Sequence, residues 1–188
     1  MKKVVAVLVN IVVPALLAAA VFAAMILAYD SNDFFRSLFT GEESGAVLGS
    51  VAAGATETIA ERAQFAGRVS MYICSLILAL QLCCFYFGFK VTRGIDRSDA
   101  LPEIKLKRFK NAGNIMDLPL YAGLFGTVSS FLVITYSPNS GKLIAYSSTL
   151  VGIIASTVLR TLVLYPAQNR NIDLEESAAI AARASGNK

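Results

Sequence analysis

Four stretches of this chain, at 4–29, 69–89, 118–136 and 143–165, are almost free of charge, Arg160 being the one ionised residue among them. A bilayer core of roughly 30 Å needs about 20 helical residues at about 1.5 Å each, and all four runs are near or above that length. With 55% of 188 residues hydrophobic and 16% charged, there is too little charge to clothe a soluble globule. The fold expected is all-α, a polytopic membrane protein with four transmembrane helices forming a single membrane domain. Lys2 and Lys3 before the first run also fit a secretory signal, but a run of 26 uncharged residues exceeds the core of one, so a retained span is expected.

Lys and Arg fix the orientation. The connection 90–117 holds seven of them, whereas 30–68 holds three against six acids, and the last connection holds Lys142 alone. Both termini, the basic loop 90–117 and the tail 166–188 are therefore placed in the cytoplasm, with segment 30–68 outside. In 90–117, Gly94 and Pro102 read as breakers. Its basic residues suit anionic lipid at about 1 kcal/mol each, and since topology accounts for them, nucleic acid is not expected as a partner. Outside, Phe34, Phe35, Leu38 and Phe39 make an apolar helical face suited to the membrane interface. The second half of GAVLGSVAAGATETIAERAQFAGR reads as a helix entering the second span. SPNSGK, at 137–142, reads as a tight turn that makes an antiparallel hairpin of the last two spans.

The chain has no histidine, and its three cysteines, Cys74, Cys83 and Cys84, all fall in the second span, where a free thiol packs as a small hydrophobe. There is no phosphate-binding glycine loop, no nucleophile beside a base and no metal-ligand spacing. Asp96 and Asp99 are a solvated charge mix. No enzyme activity, cofactor or metal is expected.

Polar residues within the spans are few: Asn10 and a kinking Pro14 in the first, Ser75 and Gln81 in the second. The third is different. Gly123, Thr127 and Ser130 lie at i, i+4 and i+7 and share a helical face, flanked by Gly126 and Ser129. Thr149, Gly152, Ser156 and Arg160 form the matching stripe on the fourth. Such stripes pack helices, at roughly 0.6 kcal/mol per hydrogen bond, or they line a pathway or a groove for a partner helix. The candidate pore-lining residues are Thr127, Ser130, Thr149 and Ser156, with Gly123, Gly126 and Gly152 allowing close helix approach. Arg160 is expected to snorkel to the cytoplasmic interface. It cannot release a proton, so a proton pathway here needs a carboxylate from another chain.

The string PLYAGLFGTVSSF, at 119–131, resembles the motif of the MotA/TolQ/ExbB proton-channel family, a proline at the cytoplasmic membrane edge followed by G-L-[LF]-G-T-V. IAYSSTLVGIIAS, at 144–156, is similar to the family's last helix, with Thr149 three residues before Gly152. The resemblance implies that Thr127 and Thr149 line the central pore of a homo-oligomer, a pentamer, around single-span partner subunits whose membrane aspartate carries the proton. It also implies a stator-like inner-membrane role, coupling the proton gradient to mechanical work or transport. The chain departs from the family in its short cytoplasmic connection of 28 residues, in Ser130 where a second glycine is usual, and in lacking a proline near Thr157. The alternative is a four-helix membrane scaffold or assembly subunit of an envelope complex, with no ion conduction.

Overall fold

The computed structural model describes residues 2–40, 53–134 and 138–186, and among them there is helix and no strand. Four stretches, Asn10–Ser31, Gln64–Asp96, Pro102–Ile134 and Gly141–Ala181, are long and apolar enough to cross a membrane.

Helix α1 (Lys2–Ser31) contains Pro14, which has no N–H to give to the helix. It ends where Asn32 starts the short α2 (Asp33–Thr40), its side-chain oxygen accepting from Phe35 N–H at 3.3 Å in the manner of an N-cap. The apolar face of α2, expected at the membrane interface, is in part turned into the protein. Phe39, 1% exposed, turns inward against Tyr29 with ring centroids 6.4 Å apart, and only Phe34 is left out, at 72%. Gly67 permits this docking: a Cβ there would stand 2.9 Å from Thr40 Cγ2 and 3.2 Å from the Phe39 carbonyl. Large apolar side chains beside a close helix contact pull α2 onto its neighbour.

That neighbour, α3 (Ala53–Asp96), has 44 residues and so a length of about 66 Å. It takes in the helical half of the first connection, while residues 41–52 of that connection lie outside the described residues. It also runs past Gly94, which has open space around it and breaks nothing. The basic connection is accordingly short of loop. After a few residues Pro102 opens α4 (Pro102–Met116) in the first-turn position where its missing N–H is harmless. Phe109, Ala112 and Met116 fall on one face and are buried. Asp117 caps α4 and leads directly into α5 (Leu118–Ile134).

Residues 135–137, most of the expected turn, lie outside the described residues, and α6 (Pro138–Val158) follows. It continues through a π-helical segment, Leu159–Leu164, into α7 (Tyr165–Gly186). The expected tail is thus helix. In the packing, α5 and α6 lie along each other, α3 closes on both, and α1 packs chiefly on α3 and α2. Two apolar clusters hold the ends. Tyr29, Phe39, Met71, Cys74, Ile77, Val133 and Ile144 form one at the α2 end. Phe109, Met116, Leu159 and Leu164 form the other, at the α4–α7 end.

Candidate functional site

The α5–α6 contact is built on glycine. A Cβ on Gly123 would stand 2.6 Å from the Ser148 carbonyl and 3.3 Å from Gly152 Cα, and one on Gly152 would stand 2.8 Å from the Pro119 carbonyl. Gly126 is equally closed, by Ile77 and Ser148. All three glycines expected to pack helices lie in this contact. With no side chains to separate them, the two backbones approach until groups one turn away can bond.

Those groups are Thr127 and Thr149. Their Oγ1 atoms are 2.5 Å apart. Thr127 Oγ1 also lies 3.1 Å from the Gly123 carbonyl and 3.4 Å from that of Ala145, and Thr149 Oγ1 lies 3.1 Å from Ala145 O. Ser148 Oγ donates to the same Ala145 carbonyl at 3.1 Å, so three hydroxyls meet here on two helix carbonyls. A hydroxyl has one proton and two lone pairs, so the threonine oxygens keep acceptor capacity for an incoming donor. Both threonines are half-buried, and Leu124 and Ile153, a turn away, are exposed.

The other two hydroxyls are enclosed. Ser130 is 0% exposed and donates to the Thr127 carbonyl at 2.6 Å, which ties it into its own helix. Ser156, 5% exposed, donates to Asp117 Oδ1 at 3.2 Å. Asp117 is also gripped by Arg160, Nε to Oδ1 at 2.8 Å and Nη2 to Oδ2, a fork-to-carboxylate pair across the end of the α5–α6 hairpin. Arg160, expected at an interface, is half exposed there with an acid as its partner.

Asp117 and Gln81 complete the site: sequence reading noted Gln81 as a polar residue of the second span without giving it a partner, and passed over Asp117. Ser156 and Arg160 are donors at i and i+4 on one face at a span's end, and the acid at the start of the preceding span was the signal for their acceptor. Gln81 is 1% exposed on α3. Its amide sits where Gly123 and Gly152 lack side chains, and Nε2 donates to the Ser148 carbonyl at 2.6 Å. Its Oε1 is, among the described residues, a buried side-chain oxygen with no hydrogen-bond partner. A single polar residue on an apolar helix carries no periodicity to betray it.

No group of His, Cys, Asp and Glu able to hold a metal occurs among the described residues. Compared with known proteins, the chain matches no family model, no curated protein and no solved structure. The resemblance to the MotA/TolQ/ExbB family therefore rests on the residues of the two motifs.

Proposed function

We propose that this chain is a MotA/TolQ/ExbB-like subunit of the bacterial inner membrane, with its basic end and both termini in the cytoplasm. It assembles as a ring of like copies, and a single-span partner inside the ring contributes a membrane aspartate. The complex couples the proton gradient to mechanical work or transport. The observation that carries this reading is the Thr127–Thr149 pair, two half-buried hydroxyls in contact on neighbouring helices whose apolar spans contain no acid. A protonated carboxyl on a partner helix finds acceptors there, and the oxygens remain neutral after the proton has gone. Ser130 and Ser156 stand behind the pair and hold its helices.

The symmetry of the purified assembly is the direct test. A fivefold ring with Thr127 and Thr149 turned to its axis is the expected result, and a monomer or a flat array sinks the proposal. Thr127→Val and Thr149→Val are expected to abolish ion-driven function and leave assembly intact, each losing about 0.6–1.7 kcal/mol of helix association. Normal proton flux through both variants in proteoliposomes would remove the pore assignment. The enclosure of Ser130 and Ser156 favours the second reading, a four-helix scaffold whose stripes only pack, and that reading predicts variants impaired in assembly alone.

A further inference from the structure

From Pro138 to Gly186 the chain is helical throughout, but its two halves serve different partners. α6 packs on α5 and α3, whereas α7 packs on α4. Between them the segment Leu159–Leu164 is π-helical, with the N–H of Tyr165 bonded to the carbonyl of Arg160. A π turn amounts to one residue inserted into an α-helix, and it is rare because regular α bonding competes with it. What holds it here is visible. Leu159 (0% exposed) and Leu164 (7%) both enter the cluster of Phe109 and Met116. In a plain α-helix, residues five apart point about 140° away from each other, and only one of the two would reach it. Asn171, 1% exposed, lies seven residues beyond Leu164 on the same face.

Regular α winding through this segment would turn everything beyond it by about 100° and advance it by about 1.5 Å. Val163 would then take the place of Leu164, and Arg170 that of buried Asn171. Arg170 now has its side chain 63% exposed and paired with Asp96. A guanidinium forced into an apolar slot is strongly unfavourable. The docked α4–α7 pair and the continuous α-helix therefore exclude each other. Arg160, the second residue of the π segment, is the one that Asp117 grips from the α4–α5 junction.

We infer that Leu159–Leu164 is a register switch. In one state the segment is π-helical and α7 is docked on α4, and in the other it is α-helical and α7 is turned and released. The Asp117–Arg160 pair selects the docked state. The switch ties the open end of the α5–α6 hairpin to the position of a helix some 10 residues further on, and it stands whether or not the chain conducts protons.

Hydrogen exchange of the full chain in lipid nanodiscs tests it. Asp117→Asn is expected to speed exchange about tenfold in α4 and around 165–171, with α5 and the part of α6 before 158 unchanged. Deleting Leu162, which is 69% exposed, from that variant removes the inserted residue, so α7 reaches its docked position on a continuous α-helix and protection returns. Unchanged exchange in Asp117→Asn, loosening spread equally through α5 and α6, or no recovery on deletion would each overturn the switch. If Asp117→Asn fails to fold, Arg160→Lys, which keeps the charge but loses the fork, is expected to give a smaller rise confined to the same helices. No rise there overturns the switch as well.

Discussion

Two glycines in this chain look alike in sequence and differ in what they permit. A methyl on Gly123 would meet a backbone oxygen at 2.6 Å, whereas one on Gly94 would meet nothing within 4 Å. Gly123→Ala is expected to part α5 from α6 at a cost of about 1–3 kcal/mol and to break the Thr127–Thr149 contact. Gly94→Ala is expected to stabilise α3 by about 0.5–1 kcal/mol, since alanine loses less freedom in a helix interior. Thermal unfolding of both variants in one detergent checks the pair, and equal effects would refute the close crossing. Gln81→Met removes one hydrogen bond and one unpartnered carbonyl. The second loss outweighs the first, so a change between zero and about 1 kcal/mol in favour of the folded state is expected. A clear destabilisation would mean that Oε1 has a partner, such as an internal water. The threonine and glycine stripes were legible because a helix repeats its faces every few residues. The partners of Gln81 and Asp117 were not, the first because it belongs to no stripe, the second because an acid at a span's edge reads as solvated.

At the scale of elements, apolar run length located the spans and missed how far the helices go. Charge marks where lipid ends, and a helix does not stop there. α3 carries Lys90 over Tyr86 at 5.7 Å and Arg93 over Phe89 at 4.4 Å, cations placed one turn beyond aromatic rings so that the helix passes from apolar to wet surroundings unbroken. α4 was hidden for a related reason. Its buried face is only Phe109, Ala112 and Met116, amid lysines and arginines that look like a loop. α2 was found, and its apolar face was assigned to the membrane surface instead of to Tyr29 and Gly67. Phe39→Ala is expected to cost about 3–5 kcal/mol and to raise hydrogen exchange in α2 before any other helix. If α2 stays protected, Phe39 is not its anchor.

The whole molecule has one basic end, and the proposed orientation puts that end in the cytoplasm. With Lys107→Cys and Phe34→Cys introduced separately, a membrane-impermeant thiol reagent applied to intact cells is expected to label the second and spare the first, both sites being exposed. The reverse pattern would invert the topology and put the Asp117–Arg160 pair on the outer face. The pairing of α5 with α6 was foreseeable in outline from the turn and the stripes, whereas the closing of α3 on both was not. What the spacing of residues could not convey was the depth at which each stripe meets its partner, because that depends on how closely glycine lets two backbones come.

The lateral place of α1 bears on how the chain is made. Of the described helices it is made before its partners, and its packing surface on α3 does not exist until α3 has been synthesised. Until then it must survive in lipid by itself. A helix that waits alone has no use for a polar stripe, and its apolar window is the most hydrophobic of the four, with mean hydropathy 2.7. α5 and α6 emerge almost together and can shield each other's hydroxyls at once. Order of synthesis, as much as architecture, thus assigns the greasiest sequence to α1 and the hydroxyl stripes to α5 and α6.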